Sequence, residues 1–286
     1  MRASIPKPRF DQKGTIPVAN TGVRITGRSF VVYYGRGPLS GIDTYDIAVL
    51  EPEGWTTPHH RQLQAAHVMT MAYLSVLEVP PWRAPVAHLR DQDFITVQGK
   101  RWVKQPFGNW LARPDSRLWQ QYMYQQAESL YRRGWDGLFL DTLGDVEDEQ
   151  LAEHQGWLVP ATAELVQGIR RSFPNRPLMV NNGLWRLVPV IAPYIDGVCW
   201  EGDLTPDVLT QPWAQAMIDF LGRASQERGW VNFMLSHIPG NSLAVSQRLL
   251  RFGQDADRYG FLSYAAPLDY AEGIRLKDGR VMTGSR

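Results

Sequence analysis

Short apolar runs alternate with amphipathic stretches over most of the chain. Eight of these runs are long enough for the interior of a strand, and most are apolar at nearly every position. Near-continuous apolar runs are typical of parallel strands that are covered on both faces. The predicted strands are residues 30–34, 47–50, 68–76, 137–141, 178–181, 195–201, 231–236 and 261–265.

Between the strands, apolar residues recur at three- and four-residue spacing, which predicts amphipathic helices. One such stripe follows Asp115 and Ser116, a predicted N-cap, and ends before Gly134. The sequence shows no repeat of fixed period. Eight strands alternating with helices predict the α/β class, as a single (β/α)8 TIM barrel. The helical stripes cover residues 119–130, 165–173, 213–224 and 249–256.

A doubly wound parallel sheet is the competing architecture. Its dinucleotide-binding form needs the pattern G-x-G-x-x-G after the first strand, and residues 35–41 come close to it. The third glycine falls one place late, however, and Pro38 lies inside the loop. We therefore interpret this segment as a turn and expect no cofactor.

A chain of 286 residues suits a single barrel domain. Residues 1–28 lack periodicity and contain three prolines, so we interpret them as an N-terminal extension of a catalytic domain at 29–286. An insertion at 80–114 follows the third strand, and residues 94–97 and 101–104 flank a hairpin signal at Gln98-Gly99-Lys100. The insertion is either a lid or groove wall, or a structural flap on the barrel rim.

The balance of charges disfavours nucleic acid and anionic membranes as partners. Thirty basic and 29 acidic residues leave a net charge of +1, which gives no field to steer the chain to nucleic acid or an anionic membrane. No run approaches the roughly 20 apolar residues of a membrane span. No export signal is evident, so we expect a cytoplasmic monomer as the sequence is written, or a secreted or periplasmic one if a signal was removed.

Polar residues stand where several predicted strands end. In a parallel barrel these ends meet on one rim, so Asp141 and Glu201 are expected to face each other there. Two such carboxyl groups can cleave a glycosidic bond, because one protonates the leaving oxygen and the other attacks or stabilises the anomeric carbon. Glu78 is either a substrate contact or part of a rim salt bridge, whereas Asp136, ahead of its strand, is interpreted as structural.

Other reactive residue types give weaker signals. The six histidines include the adjacent pair His59 and His60, but no metal-binding motif is present and no metal is expected. The single Cys199 lies in an apolar run, so we interpret it as a packed thiol. No nucleophile elbow or phosphate loop is present, which disfavours acyl transfer and nucleotide hydrolysis.

Three strand segments resemble glycoside hydrolase family 114, the endo-α-1,4-polygalactosaminidases, and the related hydrolase module of Pel polysaccharide proteins. Residues 72–78 (AYLSVLE) are similar to the family's third-strand motif, 134–142 (GWDGLFLDT) to its fourth and 195–201 (IDGVCWE) to its sixth. The similarity runs from about residue 30 to 270. Leu77 stands where the family usually has glycine, which predicts a narrower pocket floor near Glu78.

The resemblance implies a barrel hydrolase that acts on α-1,4-linked galactosamine or N-acetylgalactosamine polysaccharide. It carries the catalytic pair onto Asp141 and Glu201. By analogy with retaining barrel α-galactosidases, Asp141 is the nucleophile and Glu201 the acid/base. Aromatic and polar side chains are abundant near the rim and either bind the sugar or pack there. The predicted substrate-binding residues are Tyr33, Tyr34, Glu78, Trp82, Trp110, Asn182, Trp200 and Tyr264.

Two other functions remain open at this point. The first is a catalytically inactive barrel that binds carbohydrate through aromatic residues, since a fold alone does not guarantee activity. The second is a metal-assisted hydrolase in which His59 or His60 acts together with Asp141. For the glycoside hydrolase and for the inactive carbohydrate-binding barrel alike, the expected partner is a polysaccharide or oligosaccharide.

Overall fold

The computed structural model describes residues 24–83, 88–240 and 242–284. Most of the predicted N-terminal extension, and residues 84–87 of the predicted insertion, lie outside these ranges. Eight parallel strands form one sheet and each overlaps one predicted apolar run. They are β1 (Phe30–Tyr33), β2 (Ile47–Leu50), β3 (Met69–Ser75), β4 (Gly137–Asp141), β5 (Leu178–Asn181), β6 (Gly197–Glu201), β7 (Phe233–His237) and β8 (Leu262–Ala266).

The strands are neighbours in chain order from β1 to β8. Strands β1 and β8, at the two ends of the sheet, contact each other, and Tyr34 N donates to Tyr270 O at 2.8 Å just beyond them. The (β/α)8 barrel is therefore confirmed. The doubly wound alternative is wrong, because the strand order never reverses.

Helices cover the outside of the barrel and bury the predicted stripes. In the second helix, Ser116 Oγ accepts from Trp119 N at 3.2 Å, so the predicted N-cap is confirmed. Trp119 and Met123 are buried against the sheet. No helix in the described ranges is long and apolar enough to cross a membrane. The helices are α1 (Thr57–Ala65), α2 (Arg117–Arg132), α3 (Gln155–Ser172), α4 (Leu187–Ile191), α5 (Pro206–Leu209), α6 (Pro212–Arg228) and α7 (Leu243–Tyr259).

Short 3-10 helices lie mainly in the connections, and they share the role of turning the chain between strands and helices. They are Ile42–Thr44, Asp91–Asp93, Leu143–Glu147, Glu149–Leu151 and Ala192–Tyr194. After β8, the strands Gly273–Arg275 and Val281–Thr283 form an antiparallel pair.

The insertion after β3 contains the predicted hairpin, Thr96–Val97 with Lys100–Arg101. A second small antiparallel sheet joins Glu78–Val79, Asn109–Leu111 and Val103–Lys104 in that order. The Arg101 guanidinium lies 4.2 Å from the centre of the Phe94 ring and 4.3 Å from that of Trp110. The described part of the insertion thus packs as a small unit on the rim, and its role as a lid stays a prediction.

The opposite rim carries two carboxylates that begin strands. Asp136 Oδ2 accepts from Thr70 N at 2.8 Å and from Thr70 Oγ1 at 2.9 Å, which ties β4 to β3. Asp196 Oδ2 accepts from Leu178 N at 2.9 Å and forms a buried ion pair with Arg170 at 2.5 Å. The interpretation of Asp136 as structural is consistent with these bonds.

Each of these aspartates is followed by a glycine that the packing requires. A Cβ on Gly197 would lie 2.1 Å from Val231 O, and a Cβ on Gly137 would lie 2.6 Å from Met71 Sδ. The contact at Gly197 is with backbone, which cannot shift, so the start of β6 is restricted to glycine. At Gly137 the rigid Pro177 ring, 2.8 Å from such a Cβ, adds to the contact with Met71 and also favours glycine. Four residues later each strand ends on an acid.

Candidate active site

An open cleft of about 500 Å³ lies at the carboxyl ends of β3 to β6, within the size range of ligand-binding pockets. Its lining is polar and rich in carboxylates, with a group of tryptophans on one side. The lining side chains include Glu78, Lys104, Asp141, Asp145, Glu147, Asp148, Asn181, Asn182, Trp185, Trp200, Glu201 and Trp213.

Asp141 and Glu201 meet through one amide group. Asn181 Nδ2, at the end of the intervening strand β5, donates to Asp141 Oδ1 at 2.8 Å and to Glu201 Oε2 at 2.6 Å. The separation of those two oxygens therefore cannot exceed the sum of the two distances. Strand order explains the arrangement, because β5 lies between β4 and β6 and all three end on the same rim.

Three partly buried tyrosines surround the acid pair. Tyr270 Oη donates to Glu201 Oε1 at 2.7 Å, and the Tyr73 hydroxyl is hydrogen-bonded to Asp141. The Tyr34 ring packs between them, 4.5 Å from the Tyr73 ring and 5.4 Å from the Tyr270 ring. Burial and the neighbouring carboxylates raise the pKa of all three phenols, so they stay protonated, and Tyr73 and Tyr270 act as donors to the acids.

Asp141 is electrostatically perturbed. Burial, and next the charge on Glu201, raise the pKa of Asp141 to about 6, while hydrogen bonds from Asn181 and Tyr73 act in the opposite direction. This is the pattern expected of a functional carboxyl group in a cleft. Cys199, two residues before Glu201 on the same strand, is fully buried, and burial raises the pKa of its thiol well above the usual value. The interpretation of Cys199 as a packed thiol fits these observations.

Thr142 and Asn182, which directly follow β4 and β5, have a left-handed backbone conformation. Thr142 has φ 65°, which is unusual for a β-branched residue and marks local strain. Its Oγ1 donates to Asp141 O at 2.6 Å and accepts from the backbone N–H groups of Val76, Leu77 and Glu78 at 2.9 to 3.3 Å. Asn182, with φ 57°, accepts from Glu201 N at 3.0 Å through Oδ1. These turns fix the backbone on which both acids stand.

A second polar cluster lies on the β3–β4 side of the cleft. Glu78 Oε2 accepts from Asn109 Nδ2 at 2.7 Å, and Lys104 Nζ contacts Asp145 Oδ1 at 2.7 Å and Asp148 Oδ2 at 3.0 Å. Burial is the main cause that raises the pKa of Asp145, with a further contribution from Glu78 and an opposing one from Lys104. Through Asn109 and Lys104, the insertion forms one wall of the cleft.

Tryptophans form the β5–β6 side. The centres of the Trp185 and Trp213 rings are 4.5 Å apart, and the Trp200 ring lies 5.7 Å from that of Trp213. The Glu147 carboxylate accepts three backbone N–H groups, from residues 185, 186 and 187, at 2.7 to 3.1 Å. The loop that carries Trp185 is thereby held to the β4–α3 connection.

The predicted site residues are divided by the structure into two groups. Asp141, Glu201, Glu78, Asn182 and Trp200 line the cleft, and Tyr34 lies directly beside the acid pair. The other four predicted residues, Tyr33, Trp82, Trp110 and Tyr264, lie outside the cleft.

Tyr33 packs beside Gly35 and Gly284, on the other face of β1. Tyr264 packs against Tyr45, and its hydroxyl accepts from a backbone N–H of the C-terminal strand pair at 3.0 Å. Trp110 packs within the insertion, and Trp82 is 80% exposed on the rim. None of these four side chains lines the cleft, so any contact with substrate stays a prediction.

The histidines of the metal-assisted alternative do not meet Asp141. His59 Nδ1 accepts from Thr56 N in the N-terminal cap of α1. His60 is buried with its ring 4.4 Å from that of Trp135, and its nearest charges are Arg133 and Asp136. Among the described residues, no group of three or more His, Cys, Asp or Glu side chains is arranged to hold a metal ion.

Several residues of the site were not predicted. Asn181 bridges the acids, and only its neighbour Asn182 was selected from the Asn-Asn pair. Tyr73 lies in the middle of the third apolar run, where it was interpreted as strand interior. Trp185 and Tyr270 stand in connections, where no periodic pattern identifies them. Trp213 begins the predicted stripe 213–224, and the pattern indicates that it packs on a helix rather than that it lines a cleft.

Comparison with solved structures gives matches to glycoside hydrolases. The glycoside hydrolase domain of PelA from Pseudomonas aeruginosa matches with a TM-score of 0.67 at 20% identity, over 86% of this chain and 97% of that domain. Aspergillus fumigatus Ega3, solved in complex with galactosamine, matches with a TM-score of 0.66 at 12% identity, over 94% and 99% of the two chains.

An α-galactosidase from Thermus thermophilus, solved in complex with p-nitrophenyl α-D-galactopyranoside, matches with a TM-score of 0.52 at 10% identity, over 84% of this chain and 58% of that one. No family model matches the sequence, and no curated protein matches it significantly. At these identities the matches establish the fold. The resemblance based on three strand motifs is confirmed to that extent, because the same hydrolase folds are found from the coordinates.

Proposed function

We propose that this chain is a glycoside hydrolase that cleaves α-1,4-linked galactosamine or N-acetylgalactosamine polysaccharide with Asp141 and Glu201 as its catalytic groups. The observation that carries the proposal is the Asn181 amide, which donates to both carboxylates from a strand between them. Two acids held this close at the mouth of a barrel match the requirement for glycosidic bond cleavage.

The short separation favours a retaining mechanism. Retaining glycosidases keep their two carboxyl groups roughly 5–5.5 Å apart, whereas inverting enzymes need roughly 6.5–9.5 Å to admit a water molecule. The two bonds from Asn181 Nδ2 hold Asp141 Oδ1 and Glu201 Oε2 closer together than the separation of inverting enzymes. We therefore infer that one acid attacks the sugar directly.

In the proposed first step, an Asp141 oxygen attacks the anomeric carbon, the bond from that carbon to the leaving oxygen breaks, and Glu201 donates its proton to that oxygen. In the second step, Glu201 accepts a proton from water, the water oxygen attacks the same carbon, and the bond to Asp141 breaks. The free sugar then has its original anomeric configuration.

The assignment of Asp141 as nucleophile rests on its position at the end of the fourth strand, by analogy with retaining barrel α-galactosidases. With a pKa of about 6, the Asp141 carboxyl group is mostly ionised at pH 7, as that role requires. Asn181 and Tyr73 donate to it and hold its orientation. Interacting carboxyl groups lose their protons in two steps that belong to the pair, so an acid and a base coexist between those steps.

The proposed substrate rests on the charges that line the cleft and on the similar solved structures. The cleft is lined by the six carboxylates of Glu78, Asp141, Asp145, Glu147, Asp148 and Glu201 against one cation, Lys104, which favours a substrate bearing positive charge. A galactosamine unit with a free amine carries that charge. The match to a protein solved with galactosamine supports the same sugar.

The test is incubation of the purified chain with partly deacetylated galactosaminogalactan or Pel-type polymer, followed by measurement of new reducing ends. We expect release by the wild-type chain and none by Asp141→Asn or Glu201→Gln. Proton NMR during the first minutes should show the α-anomer before mutarotation. Binding of the polymer without cleavage by the wild-type chain would instead support the inactive carbohydrate-binding barrel.

A further inference from the structure

Trp185 and Trp213 have no role in the chemistry derived above, although both line the cleft. Their ring centres are 4.5 Å apart with 45° between the planes, and both side chains are only partly buried. Trp213 also packs against Trp200, the residue before Glu201. A continuous indole surface therefore leads from the β6 end of the acid pair to the outer edge of the cleft.

This surface is held in place by polar bonds. The Glu147 carboxylate accepts from Trp185 N at 3.1 Å and from the two following backbone N–H groups. Trp213 Nε1 donates to Gln211 Oε1 at 2.5 Å at the start of α6. Because these bonds fix the backbone of Trp185 and the indole N–H of Trp213, the ring faces can contact a ligand at a small cost in ordering.

We propose that Trp185 and Trp213 form a stacking site for a sugar unit beyond the one attacked by Asp141. This inference rests on the proposed function. The flat apolar face of a pyranose is the class of ligand that fits, since indoles combine an apolar face with a polar edge. The opposite side of the cleft, formed by Glu78, Lys104 and Asp145, is polar and charged and offers no such surface.

The consequence is a requirement for chain length. The polar wall follows β3 and β4, whereas the tryptophans follow β5 and β6, so the two walls are separate parts of the cleft. A ligand that contacts the tryptophans as well as the acid pair must contain more than one sugar unit. The site therefore selects an oligosaccharide over a single sugar.

The test compares α-1,4-galactosamine oligomers of two to eight units with an aryl α-galactosaminide. For the wild-type chain, kcat/KM should rise with length. Trp185→Ala and Trp213→Ala should each lower kcat/KM for the octamer by about tenfold, the loss of one stacking contact. Hydrolysis of the aryl glycoside should change by less than twofold. Equal losses on both substrates would overturn the inference, as would a wild-type rate that does not depend on length.

Trp157→Ala is the matched control. Trp157 is also partly buried, but it packs under the Arg113 guanidinium at 4.6 Å on α3 and does not line the cleft. We expect it to leave the length dependence unchanged. Circular dichroism of every variant checks that the fold is intact.

A binding measurement separates this inference from the proposed function. Calorimetry with the octamer and the Asp141→Asn variant should show binding that weakens about tenfold when Trp213→Ala is added. If the wild-type chain cleaves none of the substrates but this weakening is observed, the proposed hydrolysis is wrong and the stacking site stands. Unchanged octamer affinity in the double variant would rule the site out, whether or not cleavage occurs.

Discussion

Strands β4 and β6 each have an acidic residue at both ends, and the surroundings of the acid differ between the two ends. At the amino ends, Asp136 and Asp196 accept hydrogen bonds from neighbouring backbone and side-chain donors. At the carboxyl ends, Asp141 and Glu201 face each other across the Asn181 amide. All four residues are aspartate or glutamate, but their hydrogen-bonding partners differ.

The difference shows what distinguishes a structural acid from a reactive one. Asp196 is buried with Arg170 and a backbone N–H, so its charge is compensated where it stands. Asp141 is buried beside a second acid, so its charge is poorly compensated and its pKa is raised. The amino rim uses carboxylates to hold strands together, while the carboxyl rim keeps them in a costly arrangement that suits chemistry.

The sharpest test exchanges the reactive acid on one rim. Asp141→Asn removes the proposed nucleophile but keeps the shape of the side chain, so kcat/KM for the polymer should fall by at least about 1000-fold. Reducing-end release measures the rate, and external azide or formate should restore part of it in Asp141→Ala, whose smaller side chain leaves room for the anion. A fall of less than tenfold would show that Asp141 does not attack the sugar.

The same exchange on the other rim should affect stability instead. Asp196→Asn leaves the Arg170 guanidinium buried without its anion, and removal of one partner of a buried pair costs about 3–5 kcal/mol. Urea denaturation measures this loss. Turnover per folded molecule should stay at the wild-type value.

Asp278→Asn, which removes an exposed ion pair with Arg280, is the control and should leave the midpoint unchanged. If Asp196→Asn lost activity without losing stability, the contrast between the rims would be wrong.

Asp136→Asn should have an intermediate effect. Thr70 N and Thr70 Oγ1 both donate to one carboxylate oxygen, and hydrogen bonds to a charged group contribute about 1.5–3 kcal/mol. An amide oxygen can still accept from both donors, so only part of that free energy should be lost. The urea midpoint should fall by less than for Asp196→Asn, and the reverse order would contradict the assignment of the stronger contact to Arg170.

Asp141→Asn should also stabilise the fold, with a pH dependence of known sign. The folded pKa of about 6 lies above the unfolded value of about 3.9, so the ionised Asp141 disfavours the folded state. The stability of the wild-type chain therefore falls as pH rises from about 3.9 through about 6. The variant should therefore be more stable by about 1–2 kcal/mol at pH 7 and equally stable near pH 4. Denaturation at both pH values checks this, and a variant that is less stable at pH 7 would contradict it.

The smallest expected effect is on the pH profile. Tyr73 donates to Asp141 and thereby lowers the pKa of Asp141. Without that donor the pKa of Asp141 should rise, so Tyr73→Phe should move the acidic limb of kcat/KM upward by up to about one pH unit. In the wild-type chain this limb is expected near pH 6. An acidic limb that moves downward would show that Tyr73 acts on another group.

The strands and the location of Asp141 and Glu201 on one rim could be predicted from the sequence because each depends on a local pattern. An apolar run followed at once by Asp141 or Glu201 places an acid on the carboxyl rim wherever the barrel closes. The interpretation of Asp136 followed from the same reasoning, since it precedes its run.

The inward or outward direction of side chains could not be predicted. Parallel strands buried on both faces are apolar at every position, so their alternation does not tell the barrel interior from the helix layer. Tyr33 was therefore selected together with Tyr34, although only Tyr34 lies beside the acids. Asn182 was selected and Asn181 was not, for the same reason. Tyr270 and Trp213 come from segments whose approach to the site depends on the whole fold.

The hydroxyl group of Thr142 joins the backbone of Asp141 to residues 76–78, which lead into the insertion. The segment that carries one wall of the cleft is thus anchored where it leaves the barrel, next to Asp141, rather than at its tip. Exchange of residues in the outer part of the insertion should therefore leave this anchor in place.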